Sequence, residues 1–296
     1  MKQFSHLLSY LLLRFICFVL MLFPLRLAYL LAHGIGYLGF HVFRFRRQVV
    51  LENLEIALGS EMGDRERAAL AALSYRQIAM TFLELMIAPR LQKRIQQMLT
   101  EEQKQLFHDL LRQGRGLVAV SGHLGNWEFQ GAAIAAAMEE PFTVAAVKQS
   151  NFYINRFITK RRNKMGMQVA GTKEAMKLLV RALRDQQPIG LVADQNAAAW
   201  VAVFVDFFGK IASTMPGPAQ LALKYGAPMV VCAAIRTGPA QFKVLARQVT
   251  IQADDSIETL TQRHVKVLES FIRQYPEQYF WLHRRWKTRP PRELKI

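Results

Sequence analysis

Cysteine is scarce in this chain, which carries Cys17 and Cys232 and no other among its 296 residues. Two cysteines so far apart do not make the disulfide framework of a small secreted protein. No C-x-x-C pair is present for a metal or for redox chemistry. Internal repeats and low-complexity linkers are missing as well. The sequence therefore permits a reducing compartment, and we expect neither a metal site nor a cofactor.

Acidic residues are also in short supply, with 22 Asp and Glu against 39 Lys and Arg and a formal net charge of +17. Such a balance indicates an anionic partner, which is nucleic acid, an acidic membrane surface, or an acidic protein or substrate. The basic and aromatic residues of 281–286 would suit nucleic-acid binding, but no recognised nucleic-acid module surrounds them. We therefore expect lipid and protein partners and no nucleic acid.

The N-terminus consists of two apolar stretches, residues 7–23 and 27–43, followed by the basic segment 44-RFRR-47. A spanning helix needs about 20 apolar residues. A signal peptide would end at a small-residue cleavage site, whereas Pro-Leu-Arg follows the first stretch here. We expect residues 1–43 to form a retained membrane-anchor helix or hairpin, and a hairpin buried against the rest of the protein is the alternative. The positive-inside tendency places the basic segment in the cytoplasm, beside membrane lipid head groups.

Residues 44–296 are predicted to form one α/β domain. Residues 48–113 have the periodicity of helices, and strand-like runs then alternate with helical ones. The strand candidates are 117–121, 142–147, 188–194, 201–205, 228–235 and 242–251. The helix candidates between them are 127–138, 152–165, 173–185, 215–225 and 256–274. This order indicates βαβ units and a mostly parallel central sheet flanked by helices.

Polar residues appear abruptly where the first predicted strand ends, in the segment 121-SGHLGNWE-128. Open α/β sheets usually bind ligands at the carboxyl ends of their strands. His123 can act as a general base on a hydroxyl, and a carboxylate that accepts from its other ring nitrogen would fix the tautomer. Glu128 could supply that carboxylate if Gly122 and Gly125 let the chain turn sharply. The alternative is that His123 and Asn126 only cap and close the loop.

Two other polar positions carry open alternatives. Asp194 ends another predicted strand, where it could position the site or cap the next turn. Arg284 lies in the basic and aromatic segment 281–286, for which phosphate binding, packing and membrane contact are all open. We group Asn126, Asp194 and Arg284 as candidates for substrate binding.

The segment 121-SGHLGNWE-128 resembles the H-x4-D/E signature of lysophospholipid acyltransferase-like enzymes. It is more closely similar to the bacterial lipid A late acyltransferases, the lauroyl and myristoyl transferases. The resemblance continues, in order, through 50-VLENLEIAL-58, 192-VADQN-196, 203-VFVDFFGKIASTMPGPAQLALKYGAP-228 and 275-YPEQYFWLHRRWKTRPP-291. The Phe-Pro-Glu-Gly block of glycerophosphate acyltransferases is missing, which argues against the glycerolipid branch.

The resemblance implies acyl transfer from an acyl carrier protein thioester to a hydroxyl of a lipid A precursor, on the cytoplasmic face of the inner membrane. By that resemblance His123 deprotonates the hydroxyl, and Glu128 orients the imidazole of His123. Arg162, in 160-KRRNKMG-166, stabilises an oxyanion or holds an acceptor phosphate. Asn196 and the three alanines after Asp-Gln depart from the family pattern, as does Asp206 before Phe-Phe-Gly. These departures leave the acceptor and the acyl chain length open.

Two further functions remain as alternatives. One is an acyltransferase for another glycolipid or for an amino-acid lipid. The other is a non-enzymatic membrane adaptor that recruits partners through its basic surface. The adaptor explains the charge and the anchor, but it gives no reason for a histidine and a glutamate at the end of a strand.

Overall fold

The computed structural model describes residues 2–138, 140–171 and 174–290. The helices are α1 Lys2–Leu22, α2 Leu25–His41, α3 Arg47–Leu58, α4 Asp64–Gln96, α5 Glu101–Leu111, α6 Trp127–Ala137, α7 Phe152–Lys164, α8 Ala175–Arg184, α9 Gly217–Tyr225 and α10 Ile257–Gln274. The strands are β1 Leu117–Gly125, β2 Phe142–Ala146, β3 Met167–Gly171, β4 Pro188–Val192, β5 Val203–Phe207, β6 Lys210–Thr214, β7 Met229–Gly238 and β8 Gln241–Val249. The helix predicted for 173–185 begins on a residue outside the described part of the chain.

Six strands form the central sheet, in the order β3-β2-β4-β1-β7-β8. All neighbours are parallel except β7 and β8, which are joined as an antiparallel pair at one edge. Val118 in β1 lies opposite Ile189 in β4 and Met229 in β7, so β1 runs between these two strands. The predicted α/β class with a mostly parallel sheet is confirmed.

Side chains alternate between the two faces of the sheet, as the pleat requires. Val118 and Val120 of β1 pack in the core that contains α8, α9 and α10, whereas Leu117 and Ala119 pack in the core that contains α5 and α6. Both strand faces are buried, which explains why β1 and β7 read as continuous apolar runs. The sheet is therefore covered on both sides, and a ligand would reach it at the ends of the strands.

The predicted strand 201–205 is not part of the central sheet. The structure places β5 and β6 in a separate antiparallel hairpin, with Phe207 opposite Lys210. Phe208 and Gly209 form the two-residue turn, with φ of 57° and 73°. Positive φ at both central residues is typical of a type I′ turn, which joins adjacent antiparallel strands. The sequence-based expectation of another βαβ strand was wrong because the glycine of this turn was not recognised. It also missed β6, as well as the short strand β3.

The two N-terminal helices differ in how they meet the rest of the protein. Most side chains of α1 are exposed, and Gln3–Leu22 forms a helix long and apolar enough to cross a membrane. In contrast, α2 lays one buried face against α4, with Ala28, Tyr29, Ala32, Gly36 and Phe40 on that face. A Cβ added to Gly36 would lie 2.5 Å from the Cα of Arg76, so the two helices cross in direct backbone contact. α4 is also long and apolar enough to cross a membrane. Half of its most apolar segment is buried, however, so it is a core helix.

Candidate active site

The end of β1 bends away from the sheet at His123. The register between β1 and β7 shifts between Ser121 and Gly125, so residues 122–124 bulge from the ladder. Gly125 has φ of 62°, and an added Cβ would lie 1.9 Å from the carbonyl oxygen of Ala234. Only glycine fits there, because both the conformation and the space exclude a side chain. The bulge turns the imidazole of His123 toward the neighbouring strand end.

Asp194 binds His123 through both of its carboxylate oxygens. Oδ1 lies 2.7 Å from the ring Nδ1, and Oδ2 accepts the backbone N–H of His123 at 2.8 Å. Asp194 follows β4, the strand beside β1, and its side chain is almost completely buried. On the other side, the carbonyl oxygen of His123 accepts the backbone N–H of Phe280 at 2.9 Å. With Nδ1 protonated toward Asp194, Nε2 carries the lone pair and faces the amide nitrogen of Gln195 at 3.4 Å.

These contacts raise the pKa of His123 above its ordinary value. Burial lowers it, but the charge of Asp194, the hydrogen bond to Asp194 and the more distant charge of Glu128 outweigh that effect. Burial likewise opposes ionisation of Asp194, yet the interactions with His123 and the charge of Arg285 hold its pKa below the usual range. The site is therefore a buried carboxylate under a partly exposed imidazole that readily accepts a proton.

The structure places Glu128 differently from the sequence-based expectation. Its carboxylate accepts two hydrogen bonds from Arg162, one from Nε at 2.8 Å and one from Nη2 at 2.5 Å, and the side chains of both are largely buried. The carboxylate that meets the ring of His123 belongs to Asp194 instead. The reason is that Glu128 lies in the first turn of α6 and points toward α7, whereas Nδ1 points toward the end of β4. The charge of Glu128 contributes to the raised pKa of His123.

Asn126 is the N-cap of α6, and its side chain has two partners. Oδ1 accepts the backbone N–H of Phe129 at 2.9 Å, and Nδ2 donates to the buried carboxylate of Glu84 at 2.7 Å. The fully buried Asn126 is thus enclosed beneath the site, so the capping alternative describes its observed contacts.

Arg284 is exposed and lies outside the group of contacts just described. Its neighbour Arg285 is the buried one. The Arg285 guanidinium donates from Nη1 to the carbonyl oxygen of Ser213 and from Nη2 to Thr214 Oγ1, and it lies near Asp194. Gln195 and Arg285 were not predicted as site residues. The motif 192-VADQN-196 contained a signal for Gln195, but nothing in the sequence distinguishes the inward arginine from the outward one.

A cavity of about 380 Å³ opens beside His123. Its polar lining includes His123, Glu128, Arg162 and Gln195. Its apolar lining includes Phe82, Leu85, Phe142, Val144, Leu191 and Met167. The polar candidates and an apolar space therefore share one cavity, as is typical of ligand sites.

The bacterial lipid A biosynthesis acyltransferase family matches residues 1–288. The chain belongs to this family. The lipid A biosynthesis lauroyltransferase of Escherichia coli K12 is 28% identical over 274 residues, which cover 90% of this chain and 87% of that protein. The palmitoleoyltransferase of the same organism is 24% identical over 256 residues, covering 85% and 82%. The phosphatidylinositol mannoside acyltransferase of Mycolicibacterium smegmatis is 27% identical over 177 residues, covering 58% and 57%.

This membership confirms the resemblance that the sequence motifs indicated. The protein is an acyltransferase, so the non-enzymatic adaptor is excluded. The His123 cavity brings a base, a guanidinium and an apolar space together.

Proposed function

We propose that this acyltransferase moves a fatty acyl chain from an acyl carrier protein thioester to a hydroxyl of a lipid A precursor. The observation that carries the proposal is the arrangement at His123. Asp194 holds its Nδ1, and the ring lines an apolar cavity together with the Glu128–Arg162 pair. The relatives named as lauroyl and palmitoleoyl transferases of lipid A biosynthesis support this class of acceptor.

His123 acts as the general base in this mechanism. Nε2 takes the proton from the acceptor hydroxyl while the oxygen attacks the thioester carbonyl carbon. Asp194 keeps the other nitrogen protonated and stabilises the imidazolium that forms. The tetrahedral intermediate then breaks its C–S bond, and the imidazolium returns the proton to the departing thiolate. An ester and a free carrier thiol result, with no covalent acyl-enzyme.

Arg162 stabilises the oxyanion of that intermediate. Glu128 engages Nε and Nη2, which holds the guanidinium plane against the cavity and leaves Nη1 for the substrate. A fixed charge next to a carbonyl that becomes an oxyanion stabilises the transition state more than the ground state. Glu128 therefore orients Arg162 and adds negative charge near His123, rather than holding the imidazole directly.

The membrane supplies the acceptor. The exposed apolar face of α1 inserts into or across the inner membrane, and the site lies on its cytoplasmic side. α1 also contacts α7, with Tyr10 stacked on Tyr153 at 5.8 Å between ring centroids, and α7 carries Arg162. This contact supports a position of one cavity wall next to the lipid surface, where a glycolipid can present its hydroxyl.

The deciding experiment incubates purified protein in detergent with a tetra-acylated lipid A precursor and an acyl carrier protein loaded with mixed chains. Mass spectrometry of the products should show an added acyl group, and acyl-coenzyme A should be a poorer donor. His123→Ala should lower turnover by about 10²–10⁴-fold while the protein stays folded. Near-normal turnover by the folded His123→Ala protein would contradict the general-base mechanism.

Another glycolipid is the second candidate acceptor. The phosphatidylinositol mannoside acyltransferase of Mycolicibacterium smegmatis aligns with 58% of this chain. A relative named for a different acceptor lipid therefore shares more than half of the sequence region. The departures at residues 196–199 and at Asp206 lie in and next to segments that resemble the lipid A enzymes. Acylation of a mannosylated inositol lipid, without acylation of the lipid A precursor, would favour this candidate.

A further inference from the structure

A buried ion pair lies directly beneath the catalytic segment. Arg236 in β7 donates from Nε and Nη2 to the two carboxylate oxygens of Glu84 in α4, at 2.7 and 2.5 Å. Both side chains are almost completely buried. A buried pair of this kind adds little net stability, because desolvation offsets most of the attraction, but it imposes a defined geometry on what surrounds it.

The carboxylate of Glu84 has two more donors, which come from opposite parts of the molecule. Oε1 accepts the hydroxyl of Tyr29 from α2 at 2.5 Å, and Oε2 accepts Nδ2 of Asn126 at 2.7 Å. All four acceptor positions of the carboxylate are therefore filled. Asn126 is the donor that belongs to the segment between His123 and Glu128.

Thr81, one turn before Glu84 on the same face of α4, adds a second contact to that segment. Its hydroxyl donates to the carbonyl oxygen of Gly125 at 3.0 Å and accepts from Nη2 of Arg236 at 3.0 Å. The remaining terminal nitrogen of Arg236, Nη1, donates to Gln77 Oε1 at 2.5 Å. The network thus holds both the backbone of Gly125 and the side chain of Asn126.

We propose that Glu84, Arg236 and Thr81 are positioning residues that set the geometry between His123 and Glu128. Asn126 is held by Glu84 on one side and caps α6 on the other, so its position determines where the first turn of α6 presents Glu128 to Arg162. Displacement of a catalytic group by about 1 Å can lower a rate on the order of 10²-fold. The proposal rests on the proposed roles of His123, Glu128 and Arg162 and assigns no substrate contact to the network.

The test compares purified Glu84→Gln and Thr81→Val with the wild type in the acyl-transfer assay. Glu84→Gln turns one acceptor into a donor that opposes Asn126 and Arg236. We expect kcat to fall about 10–100-fold with both Michaelis constants nearly unchanged, because the substrates are not touched. Thr81→Val is nearly isosteric and should lower kcat by a smaller factor, which keeps the test valid if Glu84→Gln folds poorly.

A double variant separates positioning from general stability. Glu84→Gln/Asn126→Asp reverses donor and acceptor across one hydrogen bond and keeps a single carboxylate in the pair, so kcat should recover relative to Glu84→Gln. Glu269→Gln is the matched control. Glu269 is also buried and accepts from Arg273 Nε at 3.1 Å, but it does not line the His123 cavity. The Glu269→Gln substitution should lower the melting temperature and leave kcat of the folded protein unchanged.

The outcomes are distinct from those that test the mechanism. Wild-type kcat in folded Glu84→Gln and Thr81→Val would overturn the proposal. So would a Glu84→Gln/Asn126→Asp variant whose loss of kcat equals the product of the losses measured in Glu84→Gln alone and in Asn126→Asp alone. Either result would leave the general-base mechanism intact if His123→Ala still shows its large loss of turnover. Active, folded His123→Ala would instead reject the mechanism on which the proposal rests.

Discussion

His123 is held by groups from two distant parts of the chain. Asp194 lies 71 residues away in sequence and binds both the ring and the backbone N–H, while Phe280 binds the carbonyl oxygen. The imidazole can therefore turn little about its own backbone. Trp127 packs against the ring edge, with centroids 4.8 Å apart, and limits it further. Nε2 is thus presented to the cavity in one orientation, which is the requirement for a general base.

The raised pKa of His123 predicts a characteristic pH profile. A general base works when it is neutral, so turnover should rise with pH and level off above the raised pKa, which lies above the ordinary value of 6.5. Asp194→Asn removes the charge that raises the pKa, so the acidic limb should move to lower pH. Turnover at the plateau should also fall by about 10²–10⁴-fold, since the amide no longer fixes the tautomer.

The measurement is kcat from pH 5 to pH 9 for the wild type and for Asp194→Asn, with circular dichroism to confirm folding at each pH. Asp255→Asn is a suitable control, because Asp255 pairs with Arg263 and does not line the His123 cavity. An acidic limb that stays at the same pH in Asp194→Asn would show that a group other than His123 governs the profile.

Glu128 and Arg162 should behave as one unit in mutant kinetics. Lysine keeps the charge of Arg162 but cannot reproduce the two-pronged contact with the carboxylate. We expect Arg162→Lys and Glu128→Gln each to lower kcat by roughly 10–10³-fold. The double variant should be little worse than either single one, because each change alone already breaks the pair.

Arg156→Lys on the exposed side of α7 provides the control and should retain full turnover. Losses in kcat that simply multiply in Glu128→Gln/Arg162→Lys would mean that the two residues act independently. The contact with Arg162 would then have no catalytic meaning, and Glu128 would act on His123 through its charge alone.

At the scale of elements, α7 has two different basic faces. Arg161 is partly buried and donates from Nη1 to the carbonyl oxygens of Leu85 and Met86 in α4, at 2.5 and 2.7 Å. The Leu85 carbonyl needs this donor, because Pro89 stands four residues later and has no N–H to offer. The exposed face carries Lys160 and Lys164 four residues apart, and we propose that an acidic carrier protein binds there.

Charge reversal should separate these two faces. Lys160→Glu should raise the Michaelis constant for the acyl carrier protein, more strongly at low salt, since the screening length is about 8 Å at 0.15 M ionic strength. Arg161→Glu should instead destabilise the protein by about 1–3 kcal/mol, because it leaves the Leu85 carbonyl without its charged donor. The checks are two-substrate kinetics in a salt series and denaturant unfolding of both variants. Equal destabilisation by both, with an unchanged donor constant, would contradict the assignment.

Much of this arrangement was predictable from sequence, and the remainder depends on strand order. The apolar run, the glycines and the polar residues at 117–128 indicated a strand, a sharp turn and a helix, all of which the structure contains. Nothing local reveals that β4 lies beside β1, so spacing alone could not show that Asp194, and not Glu128, meets Nδ1 of His123. Glu84 was equally hidden, since a glutamate within a long helix looks like an ordinary solvated residue until its surroundings are known.

At the scale of the whole molecule, residues 1–43 are not one separable unit. α1 is largely exposed, whereas α2 buries Tyr29 and Phe40 against α4, and Tyr29 reaches the Glu84 carboxylate under the site. The Tyr29 hydroxyl also accepts the backbone N–H of Ala240 between β7 and β8 at 2.7 Å. The second N-terminal helix is thus a structural part of the α/β body that still exposes Leu30, Ile35 and Leu38, whereas the first helix is exposed over most of its surface.

Two truncations should therefore have different consequences. Deletion of residues 1–23 should weaken binding to vesicles of anionic lipid in high salt and leave a folded α/β body, because the removed helix contributes mainly exposed apolar surface, while the exposed apolar side chains of α2 remain. Deletion of residues 1–43 should leave an unfolded or aggregated product. Each large apolar side chain withdrawn from the core costs about 1.5–3 kcal/mol, and Tyr29 in addition leaves two buried polar partners unsatisfied. These losses together are comparable with a typical domain stability of about 5–15 kcal/mol.

Vesicle flotation reports membrane binding of the two truncations, and thermal unfolding followed by circular dichroism reports their fold. If the shorter truncation floats with vesicles in high salt as completely as the full chain does, α1 is not the anchor. If the longer one melts cooperatively at the wild-type temperature, the packing of α2 does not contribute to the stability of the body.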